Sequence, residues 1–287
     1  MTLENPPGPA PAAGNPPRPI EPPFVLPDSV EFQEDIVFAR PDGVALKLQL
    51  FLPKPSVRSS NPPTLGVVWV HGGGWRNAAQ EGRVLWRQAA HFASRGVPGI
   101  NITYRFTPTY RFPAQLEDVQ AGVRWVRGHA RELGIDPERV AAVGESAGGH
   151  LAALLGTTDA VQDGISSRVQ AVVAIYGVFD FFTLDTERGN GAKEALLGDD
   201  PDLMRRASPY YQADQHTPPT LLIHGTDDQT VPFNQSVRFQ QRLREQGARV
   251  NLIPGPGGGH GHIHRPPFYY SSLEQMTDFI LDVLGPI

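Results

Sequence analysis

The stretch Val143-Gly144-Glu145-Ser146-Ala147-Gly148-Gly149-His150 decides how this chain folds. Residues 139–143 lead into it as a run that predicts a buried strand, and residues 151–155 follow it with a pattern that predicts a helix. A serine between glycines at a strand-to-helix corner is the sequence form of a nucleophile elbow. Because Gly144 and Gly148 lack a Cβ atom, the strand and the helix can approach closely while Ser146 occupies a strained, exposed turn.

Outward from this corner, strand patterns alternate with helical patterns, which predicts an α/β fold with a doubly wound, mostly parallel sheet. Further strands are predicted at 65–70, 97–104, 169–175, 220–223 and 249–253. Helical spacing is found at 81–95, 113–128 and 271–284. Two strands at 31–38 and 45–51, joined by the turn Pro41-Asp42-Gly43, predict an antiparallel edge at the N-terminal side of the sheet.

The composition divides the chain into two parts. Residues 1–29 are predicted to be a proline-rich disordered tail, with ten prolines in residues 1–27, and residues 30–287 to be the catalytic domain. The tail is either passive or a docking segment of the PxxP type, and the composition favours a passive tail. Residues 180–212 form the longest insertion between strands, a candidate rim or small lid, so no large cap is expected.

Charge, cysteine content and hydropathy exclude several classes of function. The net charge is −5 and the pI is near 6.0, which argues against a nucleic acid as partner. The absence of cysteine excludes disulfides, thiolate metal sites and cysteine nucleophiles. No apolar run approaches the roughly 18 residues that a membrane span needs. The N-terminal residues do not resemble a signal peptide, so a cytoplasmic location is expected, with secretion left open. Nothing in the sequence indicates an oligomeric state.

Two further motifs lie at predicted strand ends, where open α/β sheets bind their ligands. His224-Gly225-Thr226-Asp227-Asp228 follows one strand, and the glycine-rich loop at 255–259 followed by His260 comes after the next strand. The chain order is therefore Ser146, Asp228, His260, which is one of the known orders of a serine triad. A histidine can take the proton of a serine near neutral pH, and a carboxylate fixes its tautomer and stabilises the imidazolium.

The segment His71-Gly72-Gly73-Gly74-Trp75 directly follows the strand at 65–70. Its glycines allow backbone N–H groups to point at a developing oxyanion without side chains in the way. The N–H group of Ala147, the residue after the predicted nucleophile, completes such an oxyanion hole. Removing one donor of this kind typically lowers the rate by about 100-fold or more, so the loop is predicted to be central to the mechanism.

These motifs together resemble the serine carboxylesterases of the α/β-hydrolase superfamily. The chain is similar to the hormone-sensitive-lipase-like and feruloyl/acetyl-esterase-like (BD-FAE-type) branches, and the likeness extends over residues 65–262. The resemblance implies that Gly73 and Gly74 supply oxyanion N–H groups. The chain departs from the pattern in its proline-rich N-terminus, where lipase-like members often carry a helical cap, and at His262, where an apolar residue is common.

Several site assignments have alternatives. Asp227 competes with Asp228 as the acid, and the spacing of the resembled family favours Asp228. His262 and His264 compete with His260 as the base, and the flanking glycines favour His260. The H-x-H-x-H pattern is also compatible with a metal site, but no carboxylate lies within nine residues of it, so no metal is predicted.

Other residues around these motifs are assigned mainly to structure. Trp75 and Phe179 are candidate walls of a substrate pocket, and core positions are an equal alternative for both. Glu145, His71 and His150 are expected to make structural hydrogen bonds. Arg105 and Asp118 are expected to form a buried pair rather than to bind substrate.

The sequence thus predicts a carboxylic-ester hydrolase that acts through an acyl-enzyme intermediate, needs no cofactor and takes a small-molecule ester. An open site without a large cap favours short acyl groups. The alternatives are an acetyl-xylan or feruloyl esterase, an arylformamidase and, from a different class, a ligand-binding protein of this fold without catalysis.

Overall fold

In the part of the chain that the structure describes, eight strands form one sheet in the order β1-β2-β4-β3-β5-β6-β7-β8. A computed structural model describes residues 24–58, 64–76 and 85–287 of the chain. The strands are β1 (Val30–Ala39), β2 (Leu46–Pro53), β3 (Thr64–Val70), β4 (Gly99–Ile102), β5 (Ile135–Glu145), β6 (Ala171–Ile175), β7 (Thr220–Gly225) and β8 (Val250–Gly255).

The directions of the strands confirm the predicted antiparallel edge and parallel centre. β1 pairs with β2, and β2 with β4, in antiparallel fashion, whereas every pair from β4 to β8 is parallel. The central strand β3 is buried along its whole length, which explains why its sequence is a continuous apolar run rather than an alternating one.

Nine α-helices occur in the described residues and connect or cover the strands. They are α1 (Trp86–Ala93), α2 (Ala114–Gly128), α3 (Ala130–Leu133), α4 (Ala147–Thr157), α5 (Glu187–Leu197), α6 (Pro201–Ala207), α7 (Pro209–Gln212), α8 (Asn234–Glu245) and α9 (Phe268–Leu284). The predicted helix at 81–95 is observed as α1, and its residues 81–84 lie outside the described part of the chain. The short helix α3 was not predicted.

The sheet separates two apolar cores, because alternate residues of its strands face opposite sides. On one face, Val68 and Val70 of β3 pack with the cluster that contains α2, α4 and the insertion. On the other face, Val67 and Trp69 pack with α1 and α9. Helices cover both faces of the sheet, whose strands β3, β4, β6 and β7 are buried throughout, so the doubly wound prediction is confirmed.

The insertion between β6 and β7 contains the three short helices α5, α6 and α7, and no large cap is found in the described residues. Side chains stabilise the starts of two of these helices. The Thr186 hydroxyl accepts a hydrogen bond from the Gly189 N–H group at α5, and the Asp200 carboxylate accepts from two N–H groups at α6. The insertion is therefore an ordered rim with its own helix signals.

The boundary of the predicted tail shifts towards the N-terminus. Residues 24–29 pack on the domain: the Phe24 ring lies 6.3 Å from the Trp86 ring in an edge-on arrangement, and Leu26 joins the same apolar cluster. The Lys54 N–H group donates to the Ser29 carbonyl at 2.9 Å. Phe24 and Leu26 explain the difference, because they are partly buried in the apolar cluster that contains α1, whereas Val25 between them is exposed. Residues 1–23, the rest of the predicted tail, lie outside the described residues.

Across residues 24–58, 64–76 and 85–287, no helix combines the length and the hydropathy of a membrane span.

Candidate active site

Ser146 stands at the corner between β5 and α4, in a backbone conformation that an L-residue rarely adopts. Its φ is 53° and its ψ is −119°, and its N–H group donates to the Ile175 carbonyl at 2.9 Å. A Cβ atom on Gly148 would lie 2.0 Å from the Val70 carbonyl oxygen, and one on Gly144 would lie 2.1 Å from the Gly148 carbonyl oxygen. The two glycines therefore permit a contact between β3, β5 and α4 that holds the strained turn in place.

His260 lies between the serine and a carboxylate. Its Nε2 atom is 2.9 Å from the Ser146 Oγ atom, and its Nδ1 atom is 2.7 Å from the Asp228 Oδ2 atom. A carboxylate can only accept, so Nδ1 carries the proton and donates to Asp228. Nε2 is then left with a lone pair towards the serine hydroxyl, which is the arrangement that a general base needs.

Asp228 lies in the turn after β7, with its side chain buried. Its Oδ1 atom accepts hydrogen bonds from the N–H groups of Thr230 (2.8 Å) and Val231 (2.9 Å). Burial alone would raise the pKa of this carboxyl, but hydrogen bonds from His224 and His260 outweigh burial and hold the pKa well below its usual value. Asp228 is therefore an anion over the whole physiological pH range.

The competing acid, Asp227, is exposed, and its Oδ1 atom accepts a hydrogen bond from the Thr226 hydroxyl. The structure thus brings Asp228, and not Asp227, to the histidine.

The three histidines of the H-x-H-x-H pattern face different neighbours. His262 is buried against the glycine-rich loop: a Cβ atom on Gly255 would lie 2.8 Å from its ring. Burial lowers the pKa of His262 to about 4, and its ring nitrogens make no hydrogen bond to the described residues. His264 reaches Glu145 instead, with 2.5 Å between its Nε2 atom and the Oε2 atom. In the described part of the chain, no group of three or more His, Asp or Glu side chains is arranged to hold a metal.

The loop at 71–75 lies against the serine. A Cβ atom on Gly72 would come within 3.3 Å of the Ser146 Cβ atom. Gly73 and Gly74 have φ values of 119° and 60°, a range that glycine adopts without strain. Among the described residues, no hydrogen bond engages the N–H group of either glycine. Ala147 is the first residue of α4, where an N–H group has no partner within the helix. The three predicted oxyanion donors thus come from two segments next to Ser146: Gly73 and Gly74 from the loop at 71–75, and Ala147 from the start of α4.

Trp75, a candidate pocket wall, is buried in an aromatic cluster. Its Nε1 atom donates to the His150 Nδ1 atom at 3.2 Å, and its ring lies 5.6 Å from the ring of Phe181. The His150 Nε2 atom in turn donates to the Ala207 carbonyl at 2.6 Å, so both ring nitrogens are used and the ring is neutral. Burial lowers the pKa of His150 to about 4, although the Ala207 carbonyl acts in the opposite direction. This cluster joins the oxyanion loop, α4 and the insertion.

Phe179, the other candidate wall, lies in the core. Its ring is fully buried and stacks on the Phe239 ring of α8, with 4.5 Å between centroids and 14° between planes. The proposed pocket role is therefore corrected: the ring offers no surface to a substrate, because helix α8 covers it. The sequence could not show this, since residue 239 comes from a distant helix.

The predicted buried pair and the structural hydrogen bond predicted for His71 are both found. Arg105 and Asp118 form a buried ion pair, with 2.8 Å between the Nη2 and Oδ1 atoms. The ring of His71 stacks on Tyr104 at 4.5 Å, and its Nδ1 atom lies 2.6 Å from the Gly72 carbonyl oxygen. Desolvation lowers the pKa of His71, so this ring is neutral as well.

Glu145 makes the structural hydrogen bond that the sequence predicts, with partners that the sequence does not indicate. The Tyr176 hydroxyl, at the end of β6, donates to Glu145 Oε2 at 2.6 Å, and His264 approaches the same oxygen. The Tyr176 ring also lies 4.7 Å from the His260 ring. The only signal in the sequence was the position of Tyr176 directly after a predicted strand, which does not distinguish it from a core residue.

The sheet order, the serine corner and the helices on both faces define the class of protein as an α/β hydrolase, with esterases as its structural relatives. The family model BD-FAE matches residues 48–243, which include Ser146 and Asp228 and end before His260. The match covers more than half of the chain, and the chain belongs to the BD-FAE family.

The similarity to individual relatives supports this membership. Esterase LipC of Mycobacterium tuberculosis is 34% identical over 212 residues, which are 68% of this chain and 51% of LipC. The chain spans about half the length of the curated relatives it matches.

Two solved structures are similar over nearly their whole length. A thermophilic esterase from Thermogutta terrifontis, Est2 with propionate bound, is 29% identical with a TM-score of 0.73, covering 91% of this chain and 97% of that one. A truncated carbohydrate esterase from gut microbiota is 25% identical with a TM-score of 0.73, covering 88% of this chain and 98% of that one. The Thermogutta esterase is also known phosphonylated by sarin.

Proposed function

We propose that this chain hydrolyses carboxylic esters through an acyl-enzyme intermediate on Ser146. The observation that carries the proposal is the position of His260, which contacts Ser146 Oγ through one ring nitrogen and Asp228 through the other. The position of the serine in a strained corner at the start of a helix, beside a loop of glycines with unengaged N–H groups, supports the same chemistry.

In the first half of the reaction, Ser146 Oγ attacks the carbonyl carbon of the ester while its proton passes to His260 Nε2. The imidazolium that forms is stabilised by the ionised Asp228. The carbonyl oxygen becomes an anion, which accepts hydrogen bonds from the N–H groups of Gly73, Gly74 and Ala147. When the intermediate collapses, the bond to the alcohol oxygen breaks and His260 returns the proton to the leaving alcohol.

The second half repeats these roles with water. His260 takes a proton from water, the hydroxide attacks the acyl carbon, and the same N–H groups stabilise the second tetrahedral anion. Collapse breaks the bond to Ser146 Oγ, which recovers its proton from His260 and releases the acid. The cycle consumes one water and requires no redox or metal chemistry from the protein's side chains.

For the substrate, we infer a small ester with a short acyl group. The rings of Trp75, His150 and Phe181 pack against one another next to the oxyanion loop, and this buried cluster supports a short acyl site. The neighbour Est2 of Thermogutta terrifontis was solved with propionate and with butyrate bound, which are short acyl products. A series of p-nitrophenyl esters of increasing acyl length tests the inference: acetate and butyrate are expected to react faster than long-chain esters, and the reverse order would contradict it.

Covalent labelling tests the proposed function itself. A fluorophosphonate probe is expected to label the chain on Ser146, with loss of ester hydrolysis, because such probes trap an activated serine. The Ser146→Ala variant should neither react with the probe nor hydrolyse esters. Ser271→Ala is the matched control, because Ser271 is an exposed serine on α9 and its loss should change neither result. A wild-type chain that binds ester analogues but remains unlabelled and inactive would indicate a binding protein instead.

A second candidate is an esterase that removes acyl groups from polysaccharides, which the similarity to a carbohydrate esterase favours. Acetylated or feruloylated xylan is the discriminating substrate. Release of acetate or ferulate at a rate comparable with that of the best p-nitrophenyl ester would support this candidate, and activity confined to small esters would exclude it.

A further inference from the structure

Glu145, Tyr176 and His264 form a cluster beside the proposed triad that the mechanism above does not use. The Glu145 Oε2 atom lies 2.6 Å from the Tyr176 hydroxyl and 2.5 Å from the His264 Nε2 atom. The three residues come from different parts of the fold: Glu145 ends β5 directly before Ser146, Tyr176 follows β6, and His264 lies in a short 3-10 turn after the glycine-rich loop. The cluster therefore joins the nucleophile corner to the segment that carries His260.

The segment that carries His260 has little rigidity of its own. Five glycines occur between residues 255 and 261, and Gly257 and Gly261 have positive φ values of 70° and 81°. Glycine-rich backbone loses more conformational freedom on folding than any other, so contacts with the rest of the protein must fix the position of His260. His264, four residues after His260, contacts Glu145. This contact fixes the C-terminal end of the segment.

Tyr176 extends the contact to His260 itself. Its ring lies 4.7 Å from the His260 ring and is tilted by 56° to it, so the two rings are in contact. Tyr176 has a φ of 37°, which is an unusual backbone conformation for a bulky residue. Its hydroxyl donates to Glu145, and the hydroxyl oxygen of Tyr176 is also 3.3 Å from His264 Nε2. Movement of His264 away from Glu145 would therefore change the surroundings of both rings.

The cluster also holds a buried charge near the reacting atoms. Burial alone would raise the pKa of Glu145, but the charge and hydrogen bond of His264, together with the hydrogen bond from Tyr176, hold the pKa below its usual value. Glu145 is thus an anion next to Ser146. Within residues 24–58, 64–76 and 85–287, the titratable or charged groups that face it are His264, Tyr176, His260, His71 and Tyr104.

We propose that Glu145 and His264 are a positioning pair, which clamps the histidine segment to the nucleophile corner and, through Tyr176, holds the ring of His260 in line with Ser146. The inference rests on the proposed ester hydrolysis and deepens it by naming residues that act through His260. Neither residue of the pair is assigned a contact with the substrate.

Turnover is the first test of this pair. His264→Ala removes the clamp, and kcat for a short p-nitrophenyl ester should fall by about 10- to 100-fold, with KM changed by less than about threefold, because a misplaced base slows chemistry rather than binding. His264→Gln keeps a donor at the position of Nε2 and should restore most of the rate. Tyr176→Phe keeps the ring against His260 but loses the hydroxyl, and a smaller loss in kcat is expected.

The pH profile gives a readout that a merely structural pair would not change. In Glu145→Gln the imidazolium of His260 loses a nearby negative charge, so the acid limb of the kcat/KM profile should move to lower pH. In His264→Gln the charge of Glu145 is no longer compensated, so the same limb should move to higher pH. Opposite shifts in the two variants support the proposal.

Asp282→Asn is the control, because it breaks an exposed ion pair with Arg249, which precedes β8, whereas the loop of His260 follows the other end of that strand; kcat and the profile should stay unchanged. Folding of each variant is checked by circular dichroism and by its urea midpoint. If His264→Ala folds and keeps the wild-type kcat, or if both charge-changing variants keep the wild-type pH limb, the positioning role is wrong. Absence of ester hydrolysis and of fluorophosphonate labelling in the wild-type chain would instead overturn the proposed function and, with it, this inference.

Discussion

The indole Nε1 atom of Trp75 donates a hydrogen bond to the Nδ1 atom of His150 over 3.2 Å, within the buried interior. Trp75 ends the oxyanion loop, and His150 lies in the first turn of the helix that follows Ser146. His150 also donates to the Ala207 carbonyl in the insertion. One neutral imidazole thus fixes the oxyanion loop and the rim over the site relative to the nucleophile.

His150→Leu should therefore reduce both stability and activity. It leaves the Trp75 N–H group and the Ala207 carbonyl buried without partners, which costs about 1–3 kcal/mol for each group. Urea unfolding measures the stability, and kcat on a short ester measures the looser oxyanion loop. Trp75→Phe removes the same hydrogen bond by deleting its donor. The double variant should therefore lose less free energy of unfolding than the sum of the losses in the two single variants. Full additivity would show that the two residues act independently.

The stability of the protein should fall as the pH drops from about 6.5 to about 4. Burial lowers the pKa of both His150 and His262 to about 4 in the folded state, whereas an unfolded imidazole titrates near about 6.5. The unfolded state thus binds more protons in this pH range. Each histidine therefore lowers the free energy of unfolding by up to about 3 kcal/mol as the pH falls through it. Above this range both states hold neutral rings and this contribution is constant.

Urea unfolding between about pH 7 and pH 4.5 measures this slope. Glu145 and Asp228 have pKa values below their usual ones, so their protonation acts only at lower pH. His262→Gln should make the slope shallower, because a glutamine cannot take up the proton. Stability that stays level down to about pH 4.5 would contradict the assignment of neutral buried rings.

Asp228→Asn should lower kcat by about 10⁴-fold with little effect on folding, because an amide stabilises the wrong histidine tautomer. Asp227→Asn is the matched control: it alters the neighbouring, exposed carboxylate, and kcat should remain within about twofold of wild type. Steady-state kinetics on one p-nitrophenyl ester separates the two variants. Equal losses in both, or a larger loss at Asp227, would overturn the assignment of the acid.

Gly148→Ala should prevent or strongly impair folding. The new Cβ atom would lie 2.0 Å from the Val70 carbonyl oxygen and 2.5 Å from that of His71, which are backbone atoms of the central sheet and cannot move aside. We expect a loss of at least about 3 kcal/mol in the free energy of unfolding. Gly128→Ala is the control, since no other described residue comes within 4 Å of its Cβ position at the end of α2, and alanine there should stabilise the helix by up to about 1 kcal/mol. Similar stabilities of the two variants would contradict this explanation.

The regular elements were predictable because their patterns are local. Buried parallel strands read as continuous apolar runs, and the strand at 65–70 and the observed β3 differ by one residue. The ends of elements were less predictable. The last helix begins at Phe268 rather than at 271, and the strand predicted from 97 begins at Gly99, because hydrogen bonding to neighbours and not periodicity sets these limits.

The sequence by itself determined the serine corner, the oxyanion loop and the chain order of Ser146, Asp228 and His260. Each of these depends on residues adjacent in the chain, or on strand ends that a parallel sheet brings to one edge. Only the tertiary structure decided which of three nearby histidines reaches the serine, that Phe179 faces the core and that Glu145 meets His264 and Tyr176. These contacts join residues from 31 to 119 positions apart, and packing geometry, which no local pattern encodes, determines them.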